Sequence, residues 1–538
     1  MISLKTAYYY ILAVKINFIK ILKKIYFTTG FYKKSLLTKV PSQFFFFPNP
    51  FLMSFFSNYK KFAFQINNLD PDKFWEQNYS LKEIRELHNF LWLSSIDRKD
   101  NAYTLRKIIS LWNLNNLKYK SLTWETSIIS KRIMSWILNA DIILKNSNFD
   151  FKRNFIESIV VQTNHLKKNF KYEIDHQKKI EVIAVLILSG LVFKEYDENY
   201  EHGLKELEKL IETFFDDKGF PLTRNPNDLL NYTKYFLLIK EVIKDAQKYV
   251  PDNLENILEK NLECLKQLTT PTNSLPLFNG MIEDDLTSFY DFINHFKVKI
   301  KKSKINTGNI HVLKNKKDVI FFEAGDPPKK SYSSCYQSGP LSFEYFLDDQ
   351  KIITNSGFGI NISNKARLLS RLTSSQSALC LNDTSIVRFE KNYLMNKAYG
   401  FLIKRDFKIS NLEHKNNTSE IQIRADHDAY LKDFGCMHSR SINLDKINNK
   451  VIGQDNLKRE NVNSKIKYDI RFHLYPGLTA VHTIGGNTLL IQINKNKALL
   501  FSTNEKSLKI EKSIFFGGQK VLDNYCIVIS GIMENNEK

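Results

Sequence analysis

The chain has 538 residues, a formal net charge of +21, 43% hydrophobic residues and 13% aromatic residues. That length exceeds one ordinary core and argues for two large domains, and the apolar content is enough to fill both, which excludes a disordered chain. Five widely spaced cysteines, Cys264, Cys335, Cys380, Cys436 and Cys526, contain no C-x-x-C, so neither a disulfide framework nor a zinc knuckle is expected. The charge has two readings. It favours a polyanionic partner, or it reflects a composition rich in Lys, Asn, Ile and Phe, since the lysines are scattered rather than striped. Charge alone argues for nucleic acid, and no nucleic-acid partner is expected.

Residues 1–65 are apolar, aromatic and basic. The run from Thr6 to Val14 follows Lys5 as the core of a secretory signal would, but Lys15, Lys20, Lys23 and Lys24 interrupt it and no clear cleavage site follows. There is no uninterrupted apolar span of about 20 residues, so a transmembrane helix is not expected. Ile11 to Tyr26 reads as a basic amphipathic helix, either lying on a membrane as a peripheral contact or packed on the domain behind it. The run Phe44-Phe-Phe-Phe-Pro-Asn-Pro50 breaks helix and must dock as an aromatic loop.

Residues 66–298 read as helices with short polar breaks. Ser80 is an N-cap with Glu83 three residues on, the pattern of a capping box. Further helices are predicted over Tyr103–Trp112, Trp124–Leu144, Phe151–Phe170, Lys178–Phe193, Gly203–Phe215, Pro226–Lys248, Pro251–Gln267 and Ile282–Phe296. Long helices in series, with short connections and no strand between them, form an antiparallel helical array. A Lys/Asn/Ser-rich linker is expected over 299–310. From 311 to 538 short strands recur between turns, among them Asp318–Glu323, Ser419–Arg424, Ile470–Leu474 and Thr488–Ile493, as in an antiparallel sandwich. Gln337–Leu347 and Lys351–Gly357 read as a hairpin around Asp348-Asp349-Gln350, with Leu341, Phe343, Tyr345 and Leu347 on the buried face of a half-buried strand. Arg371–Leu381 reads as a further strand pair, ending at Asn382-Asp383.

Helical array, linker and β-sandwich in that order resemble the heparinase II/III-like polysaccharide lyases. The similarity rests on several segments: Leu87-His-Asn-Phe-Leu-Trp-Leu93, Gly219-Phe-Pro-Leu-Thr-Arg-Asn-Pro226, Leu277-Phe-Asn-Gly280, the hairpin, His427-Asp-Ala-Tyr430 with His438-Ser-Arg440, and Arg471-Phe-His-Leu-Tyr-Pro476. It implies an N-terminal (α/α) toroid of antiparallel helices followed by a C-terminal antiparallel β-sandwich, a cell-envelope or periplasmic location, and β-elimination on an acidic, uronate-containing polysaccharide. The rival reading is a non-catalytic glycan-binding or envelope-assembly protein on the same fold.

Such elimination needs a group that neutralises the uronate carboxylate and a Tyr or His that moves protons. By resemblance, Asn164 is matched to the carboxylate and His165 to proton transfer, with a polar pair on a helix surface as the alternative. The family's Tyr-His pair falls at Asp228-Leu229, so the expected Tyr is missing; Tyr232 and Tyr235 are substitutes or simple core residues. His427 is the β-domain partner, in a cluster with Asp428, Tyr430, His438 and Arg440 that alternatively pins a sheet corner. In metal-binding members a His, an Asp and a second His hold zinc; here Gln337, Asn355 and Gln376 take those places. Amides are poor zinc ligands, so no metal and no cofactor are expected. Gln337 and Gln376 form either a sugar cradle or a buried network. Arg224 is matched to substrate charge because its guanidinium suits a carboxylate or sulfate, and Arg471, on one strand face with His473, is a further substrate-binding candidate. Nucleotide-binding, serine-hydrolase, metalloprotease and kinase motifs are absent.

Overall fold

A computed structural model describes residues 4–56, 74–75, 79–96, 98, 102–301, 307–400, 402–404, 406–459, 465–518 and 520–533. Residues 302–306 of the expected linker, and 57–65 of the expected N-terminal segment, lie outside them. The chain packs as two compact units. One comprises Met1–Phe214, Asn231–Glu259 and Ser288–Lys299; the other Phe215–Leu230, Lys260–Thr287 and Ile300–Lys538. The second unit thus takes in two stretches that the sequence reading assigned to the helical region.

In chain order the described α-helices ahead of the strands are α1 (Leu4–Phe27), α2 (Gly30–Leu36), α3 (Leu81–His88), α4 (Ala102–Asn116), α5 (Thr126–Leu138), α6 (Ala140–Leu144), α7 (Phe149–Asn169), α8 (His176–Val192), α9 (Asp197–Phe214), α10 (Pro226–Asp245), α11 (Asp252–Leu268) and α12 (Thr287–His295). Ser80 caps α3 in a full capping box with Glu83. The helix expected over 124–144 is broken at Asn139, whose side-chain amide donates to the Ser135 carbonyl. α9 starts six residues before Gly203, which is a packing glycine rather than a helix start. A Cβ there would stand 2.7 Å from Ile187 Cγ1, so the close approach of α8 and α9 demands its absence. The aromatic loop docks on this unit: the Phe45 amide donates to the Val192 carbonyl at 2.8 Å and Phe44 packs on Phe193.

The strands are β1 (Ile310–Lys314), β2 (Asp318–Glu323), β3 (Phe343–Leu347), β4 (Gln350–Thr354), β5 (Leu379–Leu381), β6 (Ile409–Asn416), β7 (Glu420–His427), β8 (Cys436–Asp445), β9 (Lys450–Arg459), β10 (Ile466–Leu474), β11 (Thr479–His482), β12 (Thr488–Asn494), β13 (Lys497–Ser502), β14 (Ser507–Phe515) and β15 (Leu522–Met533). An eight-stranded sheet runs β1-β2-β3-β4-β10-β15-β14 with β5 also on β10; β6-β7-β8-β9 and β11-β12-β13 form two more. All described pairings are antiparallel.

Two local expectations fail. β3 is buried on both faces, not one, because Glu344 on its polar face is neutralised inside the fold by Lys351 at 3.0 Å. Only Leu379–Leu381 of the stretch 371–381 is strand; the rest is loop and a 3-10 turn over Thr373–Ser375, held by side-chain bonds to backbone carbonyls. The five cysteines are free thiols. Among the described residues no helix is long and apolar enough to cross a membrane.

Candidate functional site

In the helical unit, α7 is capped by Asn148 and buried almost continuously from Ser158 to Leu166. A helix surrounded in this way turns its polar residues inward too. Asn164 is 7% exposed, and its amide donates to the Leu36 carbonyl at 3.0 Å and to Thr38 Oγ1 at 2.9 Å. His165 is 4% exposed and lies within ring contact of Phe27, Tyr119 and Trp124. Its Nδ1 is 2.7 Å from the Tyr32 hydroxyl. Burial, aided by the charges of Lys23 and Arg132, lowers the His165 pKa to about 3, so the ring is neutral. The Tyr32 hydroxyl therefore donates to Nδ1 and accepts from the Asn169 amide at 3.1 Å. Nothing in the sequence around Tyr32 marks it as the partner of His165, 133 residues away.

Of the substitutes for the missing Tyr, Tyr232 is fully buried against Phe214 and Phe236, and Tyr235 is buried beside Phe56. Burial drives the Tyr235 hydroxyl far above its usual range, so it holds its proton. At the family's Tyr-His positions, Asp228 accepts from the Thr223 hydroxyl at 2.6 Å and Leu229 is a core residue.

The second unit contains Arg224. Its guanidinium is not a free cation: it meets Glu323 Oε1 at 2.5 Å and also donates to the Asp326 carbonyl. Arg224 and Glu323 are both buried, and Gly325 lies so near that a Cβ there would be 2.3 Å from the guanidinium. Burial raises the Glu323 pKa against the opposing pull of Arg224. Arg224, matched in sequence to substrate charge, is thus paired inside the fold.

The three amides at the zinc positions close on the protein itself. Gln337 donates to the carbonyls of Ser370, at 2.7 Å, and Gly357, at 2.9 Å, while its oxygen accepts from the Gly280 amide at 3.0 Å. Gln376 donates to the same Ser370 carbonyl at 2.9 Å, and Asn355 Oδ1 accepts from the Ser377 amide at 3.0 Å. Two N–H groups converging on one carbonyl present hydrogens where a cation would need lone pairs. These residues do not fit zinc. Among the described residues no group of three or more His, Cys, Asp or Glu has metal-holding geometry.

The His427 cluster follows from strand register. β8 alternates buried and half-buried residues, which puts His438 and Arg440 on the same face as Ile442 and Leu444. Pairing of β7 with β8 sets His427 opposite His438, and pairing of β8 with β9 sets Arg440 opposite Asp455. Arg440 Nε donates to Asp455 Oδ1 at 2.7 Å and its Nη2 to Oδ2 at 3.1 Å. Burial alone would raise the Asp455 carboxyl, but Arg440 and His438 outweigh it and hold the group well below the usual carboxylate range. Being ionised, Asp455 accepts from His438 Nε2 at 2.7 Å. His438 Nδ1, a bare lone pair in the neutral ring, then accepts from His427 Nε2 at 2.9 Å, and His427 Nδ1 accepts from the Ala429 amide at 3.3 Å. Burial lowers the pKa of both rings, and the Arg440 charge adds to it for both. The carboxylate of this cluster is Asp455, one strand over. Asp428, the acid the sequence places beside His427, instead accepts from the Lys408 amide.

Arg471 and His473 part company. Arg471 forms an ion pair with Glu511 at 3.0 Å, whereas His473 is buried, with Ser513 Oγ at 3.0 Å and the Ser374 carbonyl at 2.9 Å on its two nitrogens. A surface cavity of about 480 Å³ in the helical unit is lined in part by the aromatic loop, and by none of the residues matched to catalysis or substrate. Phe45, Lys194, Asp197, Asp245 and Lys248 line it. Lys194 lies 4.2 Å over the exposed Phe45 ring, and Lys248 pairs with Asp197 at 3.1 Å.

Residues 301–530 match the family model described as heparinase II/III-like, C-terminal. The C-terminal domain is a heparinase II/III-like domain. No curated protein matches the chain. Solved structures similar to this chain include the heparan sulfate lyase HepC from Pedobacter heparinus, 14% identical with a TM-score of 0.61 over 86% of this chain and 76% of that one. A heparinase III structure is 15% identical with a TM-score of 0.65 over 86% and 77% of the two chains. At these identities the likeness shows the fold, an N-terminal (α/α) toroid followed by a C-terminal antiparallel β-sandwich.

Proposed function

We propose that this heparinase II/III-like protein binds an acidic, uronate-containing polysaccharide without cleaving it, in the cell envelope or periplasm. One observation carries the reading. Each side chain matched to elimination chemistry is buried, and the ring nitrogens and amides that would meet a sugar are spent inside the fold: Asn164 on residues 36–38, His165 on Tyr32, His427 on His438 and Ala429. A general base needs an open lone pair within hydrogen-bond reach of the proton it takes. The fold's company among lyases and the charge of +21 support the ligand class. The cavity beside Phe45 offers groups an acidic sugar uses, an exposed ring to stack on and the Lys194 ammonium, with Lys248 beside them paired to Asp197. Binding of uronate polysaccharides, weakened by Lys194→Ala with Lys248→Ala, tests that site; unchanged affinity in the double variant rejects it.

A second reading, β-elimination, has its own observation. Tyr32, His165 and Asn169 bring a hydroxyl, an imidazole and an amide together, the group types that a lyase uses. It requires α2 to move off α7. His165→Ala separates the readings, because it removes turnover only if turnover exists.

A further inference from the structure

We propose that α1 lies on an anionic lipid surface, attaching the protein to a membrane face without crossing it. The helix has 24 residues and spans about 36 Å. Ile11, Val14, Phe18, Ile21, Leu22 and Ile25 fall at helical spacings that build one stripe, and every one of them is exposed, by 49% to 70%. The inward side carries Ala13 and Asn17, both buried. This is the reverse of a helix that packs its apolar face on a core. Its far end is tied down on the inner side: Lys23 donates to Asn169 at 2.9 Å and lies 3.7 Å over the Tyr172 ring, and Phe27 packs against His165 and Tyr119. The apolar stripe therefore faces outward on an anchored helix.

Charge decides what covers it. Residues 1–69 contain ten lysines and no Asp, Glu or Arg. Lys15, Lys20 and Lys24 of α1 are exposed, as are Lys33 and Lys34 of α2 beside the exposed Phe31. A second copy would bring the same acid-free, lysine-rich surface against itself, since a two-fold contact pairs a patch with its own image. An anionic lipid surface takes both features at once: acyl chains receive the stripe, and headgroups receive the ammonium groups. No described helix is long and apolar enough to span a bilayer, which limits the contact to one face.

Flotation of the full chain with phosphatidylcholine vesicles, with and without roughly one third phosphatidylglycerol, tests the proposal. Expected are strong binding to the anionic vesicles, release by salt, and a loss of about tenfold or more in Phe18→Glu with Ile25→Glu. Both side chains are exposed, so the thermal transition of that variant should match wild type, which separates lost docking from lost folding. Lys15→Gln with Lys24→Gln should weaken binding to anionic vesicles several-fold at low salt only. Equal binding to neutral vesicles, or none to either kind, overturns the proposal. So does self-association of the wild type in solution that Phe18→Glu abolishes.

Discussion

Two buried histidines, His165 in the helical unit and His427 in the β unit, are both held neutral by burial, yet they are sealed in different ways. His165 is hydrogen-bonded from one short local segment, with Tyr32 of α2 on its Nδ1 and residues 36–38 on its neighbour Asn164, while Phe27, Tyr119 and Trp124 pack on its ring. His427 is locked by the register of β7, β8 and β9, and its chain of hydrogen bonds ends on an ion pair. A seven-residue helix can be displaced without unfolding the unit beneath it; a strand register cannot. The surroundings of His165 are thus the more easily opened of the two.

The sharpest way to break this comparison is Asp455→Ala. It strands Arg440 in the core and leaves His438 without its acceptor, so denaturant unfolding should show a loss of about 3–5 kcal/mol. A loss under about 1 kcal/mol would mean that the cluster is not the closed network described. Tyr32→Phe should cost less, about 1–3 kcal/mol, because it removes one neutral donor to a buried ring nitrogen. The acid limb of stability separates the two sites again. A folded pKa of about 3 for His165 against an unfolded value near 6.5 means that the unfolded chain takes up the proton first. Stability from this group is complete above about pH 6.5 and is lost as pH falls toward 3. His165→Gln should therefore lose about 2 kcal/mol less than wild type between pH 7 and pH 5. The burial of His88, His176, His311 and His473 lowers their pKa values too, so a residual acid slope remains. Smallest is Arg471→Ala. Its partner Glu511 is well exposed, and its second partner, the buried Asp469 at 3.5 Å, keeps Lys467 and Ser530, so the change in stability should stay within about 1 kcal/mol.

Much of the fold was legible because it depends on local signals. Helical spacing, the Ser80 capping box, and the period-two alternation that opens Glu420–His427 identify helix and sheet without tertiary knowledge. The candidate site was less so. The meeting of His427, His438 and Arg440 could be anticipated from a hairpin pairing, but Asp455 enters from the next strand, and only register reveals it. Tyr32 and Glu323 were invisible for the same reason: each completes a contact about 100 residues or more away in sequence. Sequence also treats a polar residue on a helix or strand as facing water. Glu344 and Arg224 show that a buried pairing overrides that rule.

The central claim is that the groups matched to elimination are occupied by the fold. The most direct test incubates the full chain with a panel of uronate-containing polysaccharides, measuring binding alongside the ultraviolet absorbance of an unsaturated uronate product. The account predicts binding with no rise in absorbance, in wild type and His165→Ala alike. A rise that disappears in His165→Ala or Asn164→Ala would contradict it and establish a lyase that opens α2 to work.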